Sequence, residues 1–417
     1  MDFEEILLKK ENNMELNFCE LEYFFNGYLN NKIDDFLMTK MLKAICLNHL
    51  SDEETIYLTD IFLKSGDILK LDEIKNTVDK HSTGGVGDKT TLILAPIVSL
   101  FGVKMPKMSG RALGYTGGTI DKLESIGVMV NLSKDEFIKE VKEIGFAITC
   151  QTDNICPMDK KVYALRDVTK TTNEISLIAS SIMSKKIASG AKNIVIDLKL
   201  GKGALVNNII DARHLASLMI KIGKRYDRKV KCVLTKMDNP IGNNIGNKIE
   251  IMEVIDFLNN KVRNNLYDLV IALSLEIISM VSNDDKNIIK EKIDKALEEG
   301  LAYQKFLEFV SFQKGTIDKN ILDGKKIYAK KSGYIKSIDA KSLGEISMIL
   351  GCGRVKKDDK IDYNAGIILN KNVGDYVLEN DLLCTLYGKD IDIDIEKYFT
   401  YQKDFVSKEN IIIEIIE

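Results

Sequence analysis

The sequence predicts an α/β protein built as a helical lobe, a larger α/β lobe and a small C-terminal α/β domain. Three observations carry this. Apolar residues recur at helical spacing from Phe3 to about Lys64, glycine-rich loops then alternate with short apolar segments, and Gly-punctuated apolar segments return after about Lys326.

In the first stretch Leu21, Phe24, Phe25 and Tyr28, then Phe36, Met38, Met41, Leu42 and Ile45, repeat with a helical period, with turns at Asn30-Asn31 and Ser51-Asp52. From Lys70 to Cys156 short strands and glycine loops alternate with helices, and Val103 to Met108 reads as a strand. Asp159 to Ser189 turns helical again, so the chain is expected to return to the first lobe. Asn193 to Lys199 and Lys231 to Leu234 read as strands around a helix from Ile209 to Lys224. Gly344 to Leu350 and Val373 to Val377 belong to the last piece. The expected division is 1–65 with 158–190 for the helical lobe, 66–157 with 191–325 for the larger α/β lobe, and 326–417 for the C-terminal α/β domain. Only four prolines occur, and no Pro/Ser-rich linker or repeat separates these pieces.

Composition fits a soluble enzyme. The chain has 417 residues, 45% of them hydrophobic, which can supply more than one core. A net charge of −3 without a stripe of unopposed Lys and Arg argues against nucleic acid as a partner. No apolar run reaches the roughly 18 residues of a membrane span, so no membrane is expected either. The seven cysteines are scattered without Cys-x-x-Cys spacing, which indicates neither a disulfide framework nor a zinc site. The acidic start Met1-Asp-Phe-Glu-Glu5 does not resemble a signal peptide, and the expected location is cytoplasmic.

The stretch Lys80-His-Ser-Thr-Gly-Gly-Val-Gly-Asp-Lys-Thr-Thr91 holds two lysines, an imidazole, four hydroxyls and three glycines directly before an apolar run. Glycines let backbone N–H groups approach an anion, hydroxyls donate further bonds, and a following helix adds the positive end of its dipole. A phosphate suits such a loop. A nucleotide-binding P-loop fails on spacing, because Asp88 separates Gly87 from Lys89 and Ser82 stands where the first glycine is needed. A second loop, Ser109 to Glu124, brings hydroxyls at Ser109 and Thr119, a cation at Lys107 and the Gly117-Gly118 pair, with Asp121 and Glu124 as helix-start residues. Both loops are placed to meet one anion at the carboxyl edge of a sheet.

Ser109-Gly-Arg-Ala-Leu-Gly-Tyr-Thr-Gly-Gly-Thr-Ile-Asp-Lys-Leu-Glu124 resembles the signature of the thymidine and pyrimidine-nucleoside phosphorylase family, and Lys80 to Asp88 resembles that family's phosphate loop. Tyr163 to Thr169, Ser180 to Lys186, Gly201 to Ala204, Asn239 to Gly242, Ser332 to Tyr334 and Leu350 to Arg354 follow in the family's order, so the resemblance covers essentially the whole chain. It implies a nucleoside phosphorylase/phosphoribosyltransferase-like fold and a homodimer. The reaction implied is the reversible phosphorolysis of uridine, thymidine and deoxyuridine, with phosphate as co-substrate. Breaking the glycosidic bond develops positive charge on the sugar and negative charge on the base, which explains an anion on one side and donors on the other.

Matched residue by residue, the resemblance makes Lys80, Ser82, Thr91, Lys107, Met108, Ser109 and Thr119 the phosphate set and Arg166, Ser181 and Lys185 the base set, with His81, Arg166 and Lys185 in catalytic roles. The physical readings agree. Ser181 and Lys185 are four apart on an apparent helix and share a face. Arg166 presents a planar, permanently charged fork, although an ion pair with a neighbour such as Asp167 is the bland alternative. His81 lies inside the phosphate loop, where an anion would favour its imidazolium and allow it to donate to the pyrimidine carbonyl. His49 and His214 sit in helical segments and read as ordinary surface or packed residues.

The resemblance further implies a potassium ion beside the phosphate loop, held by Gly87, Lys89, Ile241, Asn244 and Glu253, mostly through backbone carbonyls. A monovalent cation is then expected to stabilise the protein. The chain departs from the family's pattern at Leu205 and Val206, where Phe-Met is usual, at Lys236 and Asp238, and at Cys352. Leu205 bears on base selectivity. Three alternatives stay in view: a strict thymidine phosphorylase, an anthranilate phosphoribosyltransferase-like enzyme needing metal-bound pyrophosphate, and a nucleoside-binding homologue without activity.

Overall fold

The computed structural model of the chain describes residues 1–112, 114–318, 320, 323–354, 359–407 and 409–417. Leu113, within the second glycine loop, lies outside the described residues. Four helices open the chain, α1 (Phe3–Glu11), α2 (Phe18–Leu29), α3 (Asp35–Asn48) and α4 (Asp52–Lys64). Then come β1 (Val78–Ser82), α5 (Thr90–Ser99), β2 (Met105–Ser109), α6 (Thr119–Glu124), α7 (Lys134–Glu143) and β3 (Phe146–Cys150). Helices α8 (Pro157–Thr169) and α9 (Ile175–Ala188) precede β4 (Asn193–Leu200), α10 (Ile209–Arg225), β5 (Lys229–Lys236) and β6 (Asn244–Gly246). Next are α11 (Lys248–Leu258), α12 (Asn265–Ile278), α13 (Lys286–Glu298) and α14 (Leu301–Phe312). The chain closes with β7 (Lys325–Tyr328), β8 (Gly333–Ile338), α15 (Ala340–Ser347), β9 (Gly366–Leu369), β10 (Tyr376–Val377), β11 (Leu382–Tyr387), β12 (Phe399–Gln402) and β13 (Ile412–Ile416).

The helical unit is assembled from two separated segments. Asn17 with Glu20 and Ser51 with Glu54 form reciprocal caps that start α2 and α4. Glu54 also receives the buried Lys10 ammonium on both oxygens at 3.0 Å, which ties α1 to α4. Phe24, Phe25 and Phe62 fill the interior, and Met158, Val162 and Leu165 of α8 with Leu177 of α9 complete the same core. Each such side chain contributes about 1.5–3 kcal/mol on burial, so the second segment belongs to this unit energetically.

The central sheet has the order β1-β4-β5-β13, with β1, β4 and β5 parallel and β13 antiparallel. Ile194, Val195, Ile196 and Leu198 give β4 the near-continuous apolar run of a strand covered on both faces. The parallel pair β2-β3 continues beside β1 through a bridge between Thr77 and Lys104. The register sets Ser82, the last residue of β1, beside Asp197 of β4 toward the carboxyl end of the sheet, where open α/β folds bind ligands.

Two antiparallel sheets, β10-β8-β12 and β6-β9-β11-β7, form the C-terminal part. The division at 326 is crossed twice: β6 joins the second of these sheets, and β13 joins the central one. No helix among the described residues is long and apolar enough to cross a membrane.

Candidate active site

A cleft of about 370 Å³ opens between the carboxyl end of the sheet and the helical unit. One wall is made by His81 to Gly85, Asp88, Thr91, Lys107 to Ala112 and Thr116 to Thr119; the other by Tyr163, Arg166, Ile178, Ser181, Ile182, Lys185 and Lys186. The structure therefore sets Ser82, Thr91, Lys107, Met108, Ser109 and Thr119 across from Arg166, Ser181 and Lys185.

Backbone conformation explains the glycines of the first wall. Gly84 has φ +100°, a region side chains rarely adopt. At Gly118 an added Cβ would sit 2.2 Å from Ala112 N and 2.4 Å from Asp121 Oδ2. Asp121 is a clamp as well as a first-turn residue of α6: its buried carboxylate accepts from Ala112 N at 2.6 Å and pairs with Arg354 at 2.9 Å.

Lys80 is the phosphate candidate that does not line the cleft. Its ammonium lies beneath the loop, fully buried, donating to Thr90 Oγ1 at 2.7 Å and lying 3.3 Å from Asp197 and 3.9 Å from Asp88. Burial opposes ionisation of Asp88, but the Lys80 and Lys199 ammoniums and hydrogen bonds from Ser82 and Thr90 outweigh it and hold the carboxyl well below the usual range. Lys80 thus neutralises a carboxylate that would otherwise repel an anion.

The cleft itself is strongly cationic. Burial, followed by the field of Lys186, pushes the Lys107 ammonium down to about 7, with Asp79 pulling the other way. Lys107 donates to Lys80 O at 2.7 Å, and Lys186 pairs with Asp79. His81 corrects an expectation. Burial and the Lys186, Lys107, Lys185 and Lys80 ammoniums hold its imidazole well below the ordinary histidine range, so it is neutral before an anion arrives.

On the facing wall Arg166 is buried and pairs with no carboxylate among the described residues. It donates from Nε to Thr171 O at 3.2 Å and from its two terminal nitrogens to Leu177 O at 3.2 Å and Thr172 O at 2.9 Å. The alternative pairing with Asp167 does not form, and the guanidinium holds the α8–α9 connection while reaching the cleft. Lys185 donates to Ser181 Oγ at 2.8 Å and pairs with Asp159 of α8.

The five groups implied as metal ligands do gather, but the Lys89 ammonium stands among them. It donates to Ile241 O at 2.9 Å, Asn244 O at 3.0 Å and Glu253 Oε2 at 2.6 Å. Gly87 O accepts from Lys89 N, and Lys89 O from Leu92 N, both at 3.0 Å. These residues do not fit a potassium ion, because the oxygens that would ligate it already serve a cation of the chain.

Sequence reasoning missed Asp159, Lys186, Asp197 and Lys199. Asp159, Tyr163 and Arg166 are spaced i, i+4, i+7 on α8, a signal that could have placed Asp159 on the cleft-side face. Asp197 and Lys199 are partners only through strand register. Of the departures, Leu205 lines the cleft, Val206 is buried, Lys236 pairs with Glu409, and Asp238 accepts from Lys202 N at 3.1 Å.

Residues 74–303 match the model of the glycosyl transferase family a/b domain, and residues 334–397 that of the pyrimidine nucleoside phosphorylase C-terminal domain. The chain is 43% identical over 405 residues to a pyrimidine-nucleoside phosphorylase of Staphylococcus haemolyticus, covering 94% of this chain and 93% of that protein. It is likewise 43% identical over 403 residues to one of Bacillus subtilis, with the same coverage of each chain. Anthranilate phosphoribosyltransferase of Thermus thermophilus superposes with a TM-score of 0.60 over 74% of this chain and 99% of its own, at 14% identity, a likeness of fold alone. With hydroxyl-rich glycine loops on one wall, cationic helices on the other and relatives matched along nearly the full length, the chain belongs to the pyrimidine-nucleoside phosphorylase family.

Proposed function

We propose that the cleft catalyses reversible phosphorolysis of pyrimidine nucleosides, with uridine, thymidine and deoxyuridine all accepted, and so serves pyrimidine salvage and catabolism. A cytoplasmic homodimer is part of the same reading and rests on the resemblance. The carrying observation is the facing of two unlike walls: hydroxyls, glycines and Lys107 against Arg166, Ser181 and Lys185. Phosphate on the first wall offers an oxygen to C1′. As that bond forms, the C1′–N1 bond breaks and its electron pair leaves with the base, whose oxygens gain negative charge opposite Arg166 and Lys185. An arriving phosphate dianion offsets the cationic field around His81, and this permits it to carry a proton toward the departing pyrimidine.

The test is base release from uridine and thymidine, with and without phosphate, and inosine as negative control. Release that requires phosphate, with sugar 1-phosphate as co-product, is expected. Equal release without phosphate would overturn the reading in favour of hydrolysis, and no release with any nucleoside would favour a binding protein.

A further inference from the structure

We propose that Lys89 is a covalently tethered replacement for a monovalent metal ion, so that this protein organises its phosphate loop without potassium. Three acceptors converge on the ammonium, and an ammonium has three N–H groups to give. The residue is buried, so the charge is matched inside the protein by Glu253. Both oxygens of that carboxylate are already engaged: Oε1 accepts from Asn243 N at 2.7 Å and from Asn264 Nδ2 at 3.5 Å, and Oε2 accepts from Asn244 N at 2.9 Å besides Lys89. A metal ion entering beside the ammonium would place two positive charges in contact at low dielectric.

Space argues the same way. Gly87, at φ +75°, lies so close to the turn before β6 that an added Cβ would stand 2.4 Å from Ile241 O. The phosphate loop is therefore pressed onto that turn, and Lys89 crosses the contact to α11, which carries Glu253. Lys89 also sits at the start of α5, directly after the loop residues that face the cleft. One side chain joins the end of the phosphate loop, the turn at 241–244 and α11. A free ion making these bonds is lost by dilution, whereas a tethered one is present at fixed stoichiometry. Lys89 is in this sense a positioning residue: it acts on phosphate through the loop.

The test compares potassium chloride with tetramethylammonium chloride at equal ionic strength. Wild-type thermal midpoint and phosphate KM should be the same in both salts, and thallium(I) diffraction should show no ion at this position. Lys89→Thr should melt lower in tetramethylammonium and recover saturably with added potassium. Its phosphate KM should rise about tenfold, the size of one lost charge-assisted hydrogen bond, and fall back with potassium while the nucleoside KM moves less. Saturable stabilisation of the wild type by potassium overturns the proposal. So does a Lys89→Thr protein that matches wild type in tetramethylammonium, or one impaired equally in both salts. If the variant folds only in potassium, the replacement is supported, and the wild-type arm decides alone if it folds in neither. The melting and diffraction arms hold whatever reaction the cleft performs, and only the KM arm rests on the function proposed above.

Discussion

Lys185 Nζ donates to Ser181 Oγ at 2.8 Å within one helix and is paired with Asp159 on the neighbouring helix. The cation is thus aimed before any substrate enters, by one neutral and one charged partner. Asp159 is buried, while Lys185 remains partly open to the cleft. A group held in this way can strengthen its interaction as charge develops on a leaving base without reorganising first.

Replacing Lys185 with Ala should lower kcat/KM by two to three decades, roughly 3–4 kcal/mol of transition-state stabilisation. Arg166→Ala should lose activity on a similar scale and also stability, since Thr171, Thr172 and Leu177 carbonyls lose their donor. Steady-state kinetics with melting curves check both; near-normal turnover in both variants would place the base site elsewhere.

Asp159→Asn keeps the shape of the partner but removes its charge. The expected result is a lower kcat and a higher nucleoside KM with phosphate KM unchanged, because the phosphate wall lies opposite. A shift confined to phosphate KM would contradict that geometry.

Lys107 gives the site a pH dependence with a definite sign. Its ammonium is held at about 7 rather than 10.5. Between those values the unfolded chain binds the proton and the folded chain does not, so the contribution of Lys107 to stability rises with pH. Its cost is complete below about pH 7 and is relieved toward pH 10.5. A bound dianion reverses the local preference and recharges the ammonium. Phosphate binding at pH 8 should therefore take up protons, and phosphate affinity should fall as pH rises above about 7. Calorimetry in two buffers of different ionisation enthalpy measures the uptake, and Lys107→Met should reduce it, leaving only the share of His81.

Leu205 lines the cleft, and a leucine there leaves more room near the ring than the aromatic side chain the resemblance leads one to expect. One apolar contact is worth about 1–3 kcal/mol, so uridine and thymidine should differ by no more than about two decades in kcat/KM. Cytidine and purine nucleosides should be poor substrates. Leu205→Phe should narrow the range. Undetectable uridine cleavage beside rapid thymidine cleavage would mean that the pocket rejects the 2′-hydroxyl.

The parts of the site legible in the sequence are those whose chemistry is local. Ser82, Thr91, Ser109 and Thr119 stand at the strand and helix ends that border loops whose glycine and hydroxyl content announces an anion, and Ser181 and Lys185 announce a shared face by spacing. Partners supplied by tertiary structure leave no such trace. Asp197 reaches Lys80 and Thr235 only because β4 lies between β1 and β5. Lys89 could be placed as a backbone ligand by resemblance, but its reach to Ile241 depends on two loops meeting across the fold. The helices of the first lobe were readable because long periods are redundant; β6 and β13, of three and five residues, are too short to carry a period that names a partner.

Strand β13 closes one side of the central sheet by pairing with β5 from the far end of the chain. While the polypeptide is being made, β5 leaves the ribosome long before Ile412 does, and its outer N–H and C=O groups wait unpaired. Such an open edge invites pairing with other chains. Loss of the last strand would then show itself first as self-association of newly made protein, with the cleft chemistry of the surviving soluble fraction little changed.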